Sequence, residues 1–121
     1  LMAPFGATSV LIFAVPDSPL AQPRNVIGGN FLGALVSLIV LHFLGSTPWT
    51  IGLAVSLSIG MMQLTRTVHP PAGAIALVVM LTQPNWSFLL TPALNGSLIF
   101  VLCAVVFNNM AEERTYPKYW L

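Results

Sequence analysis

The sequence predicts an all-α integral membrane protein, a polytopic bundle of transmembrane helices in which two helices are too short to span a bilayer. Hydrophobic residues make up 56% of the 121 residues, charged residues only 6%, and the mean hydropathy is +0.86. Soluble domains carry roughly 25% charged residues. The chain lacks the charged surface of a soluble domain, so we expect a lipid bilayer to surround it.

Three apolar segments are long enough to cross a bilayer, which takes about 17–25 helical residues. They cover residues 26–44, 49–65 and 93–110. The length of the chain fits a single domain over residues 1–121. Because the chain opens directly on apolar residues, we also expect the natural protein to extend upstream, with its first span only partly present in this chain.

Two other apolar segments, residues 4–15 and 70–81, are too short to span. At about 1.5 Å per residue, each covers only ~18 Å of a hydrocarbon core about 30 Å thick. Both open on proline, which suits the first turn of a helix. We therefore predict two short helices that begin within the membrane.

These short segments share a pattern: residues 4–11 (PFGATSVL) match residues 71–78 (PAGAIALV) at an offset of 67. If the second segment crosses the membrane, every basic residue falls on one side, which the positive-inside rule favours. The two short helices then run in opposite directions. This topology allows an inverted repeat of the kind on which many transporters are built.

The starts of the short helices are the candidate binding site. A helix start leaves about four backbone N–H groups unpartnered and carries a partial positive charge. Two starts aimed at each other would bind a small anion, while glycine would let the ion approach the backbone and histidine would add a donor. The alternative is that these starts only begin packing helices. The predicted binding residues are Pro4, Gly6, Ala7, Thr8, Ser9, His69, Pro70, Pro71, Gly73 and Ala74.

Four polar residues on the basic side are candidates for a vestibule or gate. The alternative for the two arginines is that they mark the membrane interface and extend toward water. The candidates are Arg24, Asn25, Arg66 and Thr67.

Several function classes have no residues to support them. The sequence has no Ser-His-Asp set, no phosphate-binding glycine loop and no paired carboxylates within an apolar segment, so we expect no enzyme activity and no cofactor. His42 has no second ligand within helical reach, so no metal site is predicted. Four basic residues form no nucleic-acid-binding face. Small residues recur every fourth position from Gly29 and from Gly52, which permits tight helix packing or a homo-oligomer.

The segment TVHPPAGAIAL (67–77) resembles the signature of the HPP family of integral membrane proteins, named for His69-Pro70-Pro71. The segments APFGATSVLIF (3–13), SPLAQPRNVIGG (18–29) and YPKYW (116–120) are also similar to that family, so the resemblance covers nearly the whole chain. It implies a small multi-span protein of bacteria, cyanobacteria or plastids. Members of the plant and cyanobacterial branch are linked with nitrite transport.

The resemblance and the residue pattern together predict a transporter or channel for a small monovalent anion, with nitrite as the first candidate. We expect it in the plasma (inner) membrane of a bacterium or cyanobacterium or in a plastid envelope, with the basic loops in the cytoplasm. The alternatives are a non-transporting scaffold or sensor and a channel for a neutral solute.

Overall fold

The computed structural model describes residues 2–111 and 114–120, and the regular elements within them are helical. The α-helices are α1 (Ala3–Ser9), α2 (Pro23–Leu44), α3 (Pro48–Thr65), α4 (Pro70–Thr82) and α5 (Asn95–Met110). A wider π-helical turn, Val10–Ala14, continues α1. Short 3-10 turns precede α2 (Pro19–Ala21) and α5 (Trp86–Leu89), and the second is followed by an irregular turn, Leu90–Leu94.

Proline sets where three of these helices begin. Each of α2, α3 and α4 opens on a proline that follows a residue in extended conformation: Gln22, Thr47 and His69. Proline suits this position because its fixed φ is helical and the first N–H has no partner in the helix. Each of the three ends at a residue with positive φ, namely Gly45, Arg66 and Gln83.

The two short helices and two of the three predicted spans are confirmed. Pro23–Leu44 (22 residues) and Trp86–Met110 (25 residues) have mean hydropathies of 2.0 and 2.1 and are long and apolar enough to cross a membrane. Between them, α3 is 18 residues long. The shorter apolar helices are Ala3–Ala14 and Pro70–Thr82. The chain is thus an all-helical bundle with two short helices.

One end of the bundle, called the basic end below, collects the positive charge. Arg24 Nη2 donates to the carbonyl of Thr65 (2.7 Å), which joins the start of α2 to the end of α3. The backbone N–H of Lys118 donates to Gln22 Oε1 (2.8 Å), so the segment after α5 returns to the same place. The basic residues at this end are Arg24, Arg66, Arg114 and Lys118.

The opposite end, called the uncharged end, holds the α2–α3 and α4–α5 connections. Ser46 Oγ donates to the carbonyl of Met80 near the end of α4 (2.7 Å). The rings of His42 and Trp86 lie 5.8 Å apart between centroids. The segment from Thr67 through α4 therefore runs from the basic end to the uncharged end, as the charge pattern predicts for a crossing segment.

Two large hydrophobic clusters and a small third one (Val40, Ala54 and Met80) form the core, with α2 at the centre against α3, α4 and α5. The cluster nearer the uncharged end contains Phe5, Ala34, Leu38, Ile75, Val79, Phe88 and Ala93. The cluster nearer the basic end contains Ile12, Ala21, Val26, Val101, Ala104 and Tyr116. The segment Ala3–Ala14 runs from Phe5 in the uncharged-end cluster to Ile12 in the basic-end cluster. The segment that leads into α5 runs in the same sense, from Ala93 to Val101. Both are therefore antiparallel to α2 and α4.

Candidate functional site: a buried polar layer

Four polar side chains from four different parts of the fold lie inside the bundle. They are Thr8 on α1, Asn30 on α2, His69 just before α4, and Ser97 on α5, each 0% exposed. We call these four residues the polar layer. Buried polar groups in a membrane domain are costly unless they are paired, and they commonly mark functional positions.

The layer lies between the two large hydrophobic clusters. On α2, Val26 belongs to the basic-end cluster and Ala34 to the cluster nearer the uncharged end. Asn30 is one helical turn from each of them, on the same stripe. Ser97 on α5 falls in the same way between Ala93, in the turn before α5, and Val101. The polar groups therefore interrupt the apolar core at one level.

His69 joins the two short helices. Its Nε2 is 2.9 Å from Thr8 Oγ1, and its Nδ1 is 2.9 Å from the carbonyl oxygen of Leu20. A carbonyl only accepts, so Nδ1 carries the proton. In the neutral ring Nε2 is then an acceptor, and the Thr8 hydroxyl donates to it. Both ring nitrogens are satisfied without any charge.

Asn30 and Ser97 form the second pair of the layer. Asn30 Nδ2 donates to Ser97 Oγ over 2.9 Å. Ser97 Oγ in turn donates to the carbonyl of Ala93, four residues earlier in the turn before α5 (2.6 Å). This pair ties α2 to α5, as the His69–Thr8 pair ties α4 to α1.

Glycines on α2 allow the segment that leads into α4 to pack closely against α2. A Cβ added at Gly29 would lie 2.7 Å from His69 Cβ and 2.7 Å from the Thr67 carbonyl oxygen. A Cβ added at Gly33 would lie 2.5 Å from the Ala72 carbonyl oxygen. Residues 67–72 can therefore run along α2 only where α2 has no side chains, which places His69 at the level of Asn30.

The helix starts have fewer free donors than the sequence analysis expected. At α4, Pro70 and Pro71 have no N–H, and the N–H of Ala72 donates to the His69 carbonyl (2.9 Å). At α1, Pro4 has no N–H, and the N–H of Phe5 donates to the Met2 carbonyl (3.0 Å). Most of the N–H groups that an ordinary helix start leaves unpartnered are absent or used here, because proline fills the first turns.

The two short helices also pass side by side instead of meeting tip to tip. Thr8, in the second turn of α1, is level with His69, which precedes α4. Phe5, earlier on α1, shares a cluster with Ile75 and Val79, which lie deeper in α4. The antiparallel helices therefore overlap, and their contact is through side chains at Thr8 and His69.

The remaining predicted binding residues divide into a buried and an exposed group. Pro4 and Pro71 are buried, and the hydroxyl of Ser9 is half-buried and donates to the Phe5 carbonyl (2.8 Å). The exposed group contains Gly6, Ala7, Pro70 and Ala74, and Gly73 is half-buried. A Cβ added at Gly6 or Gly73 would meet nothing within 4 Å.

The four predicted vestibule residues gather at the basic end. Asn25 Nδ2 donates to the carbonyl of Val68 (2.7 Å), which holds the segment leading to His69. Thr67 Oγ1 is 2.7 Å from Thr65 Oγ1. With the Arg24 contact to Thr65 and Arg66 next in the chain, these residues frame the entry to residues 67–69.

The basic end is closed by Gln22 and Tyr116, which are not among the predicted site residues. Gln22 is 0% exposed, and its Nε2 donates to the carbonyls of Pro16 and Ser18 (both 2.9 Å). The Tyr116 hydroxyl is buried and donates to the Ala21 carbonyl (2.8 Å). Burial raises the pKa of this hydroxyl, so it keeps its proton. Residues 16–22, which supply Leu20 to His69, are thus held in place by the segment after α5.

Within the described residues, His, Cys, Asp and Glu form no group of three that would hold a metal ion.

The pair Asn30–Ser97 was missed because an asparagine and a serine in apolar helices have many structural uses. One signal was available: the two residues are separated by the 67 positions that relate the two short segments.

Comparison with known proteins agrees with this picture of a membrane domain. The family model described as "HPP, transmembrane region" matches residues 1–117. Two curated relatives, both described as transmembrane proteins of Dictyostelium discoideum, are 48% and 41% identical over 99% of this chain. The alignments cover 45% and 41% of those relatives, so the chain spans less than half of their length. No solved structure matches the chain. The chain therefore belongs to the HPP transmembrane-region family of integral membrane proteins.

Proposed function

We propose that the protein transports a small monovalent anion across a membrane, with nitrite as the first candidate because of the family resemblance. The observation that carries this proposal is the polar layer, where His69 joins the two short helices. A scaffold would pack more stably with apolar residues at these positions. Four fully buried polar side chains at one level are better explained by a solute that crosses there.

The outer sides of the two short helices support a route for a small ion. Gly6 and Ala7 directly precede Thr8, and Gly73 and Ala74 follow His69 by four and five positions; these residues carry little or no side chain. Small residues allow a solute to come close to the backbone. The proposed path runs along these residues and crosses the layer where α1 and α4 overlap.

The charge distribution supports an anion as the solute. The basic residues gather at one end, and the connections at the other end carry no charge. Lys118 is paired with Asp17 at this end (Nζ–Oδ1 3.3 Å), so the arginines there would raise the local concentration of anions. By the positive-inside rule the basic end faces the cytoplasm. Which membrane holds the protein is still a prediction, and the Dictyostelium relatives widen the choice beyond bacteria and plastids.

Anion flux into proteoliposomes tests the proposal, with nitrite, nitrate, formate and chloride compared. The decisive variant is Gly73→Leu. Position 73 has room for a side chain, so we expect the variant to fold as the unaltered protein does. We expect it to abolish flux, because the added side chain stands on the proposed path. The control is Gly52→Leu, which also has open space around its Cβ but lies on α3.

Two outcomes would contradict the proposal. Absence of flux for every anion, from protein that unfolds cooperatively, favours the scaffold or sensor. Unchanged flux in Gly73→Leu removes the short helices from the path. Thermal stability gives an independent readout, because a ligand that binds the folded protein raises its unfolding temperature.

The homo-oligomer is still a prediction that the mass of the detergent-solubilised particle would decide.

A further inference from the structure

The orientation of the Asn30 amide is fixed by its neighbour. A serine hydroxyl has one proton to donate, and Ser97 gives it to the carbonyl of Ala93 (2.6 Å). Ser97 Oγ therefore accepts in its contact with Asn30, so the amide atom that faces it is Nδ2. Asn30 Oδ1, which only accepts, must point the other way.

Asn30 Oδ1 is the unpaired group of the polar layer. It is fully buried, and among the residues that the structure describes no donor reaches it. Buried acceptors are normally satisfied, and the unsatisfied exceptions call for a donor from elsewhere. In the described part of the chain, the other buried side-chain atom without a hydrogen-bond partner is Ser58 Oγ, on α3 and outside the layer.

Most donors of the layer are already committed, and none of them points to Asn30 Oδ1. The Nδ1–H of His69 goes to the Leu20 carbonyl, and the Thr8 hydroxyl goes to His69 Nε2. One N–H of the Asn30 amide goes to Ser97, which leaves the second N–H of that amide as the uncommitted donor among these described side chains. An ionised anion brings only acceptors, so at Asn30 Oδ1 it would meet a second acceptor in surroundings of low dielectric, which strengthens the repulsion. A solute with an O–H group would instead supply the donor that Asn30 lacks.

We propose that the solute crosses the polar layer as a neutral, protonated weak acid whose O–H donates to Asn30 Oδ1. This rests on the proposed transport function and names the form of its substrate. The anion takes a proton from the solution at one end and returns it to the solution at the other. One proton moves with each anion, and no residue of the chain gains or loses one. Asn30 is then the residue that selects for the protonated form.

The test is the pH dependence of flux at fixed total concentration for two kinds of anion. Nitrite and formate have conjugate weak acids, whereas nitrate and chloride stay ionised. Well above the pKa of the acid, its protonated fraction falls roughly tenfold per pH unit. We expect nitrite and formate flux to fall in that proportion and nitrate and chloride to give no flux. Because neutral acids also cross lipid unaided, the rate of protein-free liposomes is subtracted.

The matched variants are Asn30→Leu, which removes the acceptor, and Ser58→Ala, which removes the other unpaired buried polar atom. We expect Asn30→Leu to fold and to lose at least about tenfold of the protein-dependent flux, the factor that corresponds to a single hydrogen bond of about 1.4 kcal/mol. Ser58→Ala should keep it. The pH profile of the unaltered protein needs no variant, so the inference can be tested even if Asn30→Leu does not fold.

Three results would count against these ideas separately. Flux of nitrate and chloride equal to that of formate, independent of pH, overturns the protonated-acid inference and leaves the transport function standing. Flux that follows the weak-acid fraction but is unchanged in Asn30→Leu removes the role of Asn30. No flux for any of the four anions contradicts the transport function itself.

Discussion

Asn30 donates its amide N–H to Ser97 Oγ over 2.9 Å, and the two residues are 67 positions apart. The same offset relates residues 4–11 to residues 71–78. On each side of α3, a short helix, a 3-10 turn and a long helix follow in the same order and in opposite directions. Around a pseudo-two-fold axis, equivalent residues meet only near the axis. The inverted repeat itself is still a prediction, and Asn30 and Ser97 are where its axis would lie.

The packing of α4 against α2 depends on the absence of a side chain at Gly33. In Gly33→Ala the new Cβ would lie 2.5 Å from the backbone oxygen of Ala72, so the helices must separate. We expect a loss of about 1–3 kcal/mol in the free energy of unfolding. The measurement is denaturant or thermal unfolding in detergent micelles.

The control for this prediction is Gly52→Ala on α3, where an added Cβ meets nothing within 4 Å. Alanine favours the helix over glycine by roughly 0.5–1 kcal/mol. This variant should be as stable as the unaltered protein or slightly more so. An equal change in the free energy of unfolding of the two variants would mean that the close approach of α4 at Gly33 contributes nothing to stability.

The hydrogen bond between Thr8 and His69 should couple the two residues energetically. Thr8→Val keeps the shape of the side chain but leaves His69 Nε2 buried without a donor, which costs about 1–3 kcal/mol. In a double-mutant cycle with His69→Ala, we expect a coupling energy of about 0.5–3 kcal/mol. Thr82→Val, at an exposed residue near the end of α4, serves as the control. Strictly additive effects would show that the contact contributes nothing.

The segment after α5 should be held to residues 16–22 by Tyr116. Tyr116→Phe removes the hydroxyl that donates to the Ala21 carbonyl and should lower the free energy of unfolding by about 0.5–1.5 kcal/mol. Limited proteolysis of the end of the chain would then become faster. Tyr119→Phe is the matched control, since Tyr119 is exposed. Equal proteolysis rates in the two variants would refute the anchoring role.

Alkaline pH should weaken the same anchor. Burial raises the pKa of the Tyr116 hydroxyl above its ordinary value of about 10. At pH values between the unfolded and folded pKa, the unfolded chain releases the proton and the folded chain keeps it, so stability falls as the pH rises. Above the pKa of tyrosine in the unfolded chain, the unfolding temperature of the unaltered protein should decline more steeply than that of Tyr116→Phe. Identical slopes would show that Tyr116 ionises freely in the folded state.

Much of the fold followed from local sequence. The apolar lengths and the prolines at the helix starts predicted the long and short helices, because these signals act within one or two turns. The charge pattern also predicted which connections share an end of the bundle. These properties depend on the nearest residues and on the membrane, so tertiary packing did not have to be known.

The candidate site depended on contacts across the bundle. The sequence pointed to His69 and Thr8 but not to the bond between them, and it gave no role to Asn30, Ser97, Gln22 or Tyr116. The first three lie in or beside apolar segments, and what each one bonds is decided by the helix that packs opposite it.

The two short helices show most clearly the difference between what the sequence determines and what the tertiary structure decides. The sequence by itself determined a membrane-embedded helical bundle with two short, proline-initiated helices and one basic end. Only the tertiary structure decided that these helices overlap side by side, because the glycines of α2 let residues 67–72 approach until His69 reaches Thr8. Close packing then placed the polar groups of four distant segments at one level, and that depends on backbone separation, which no local pattern records.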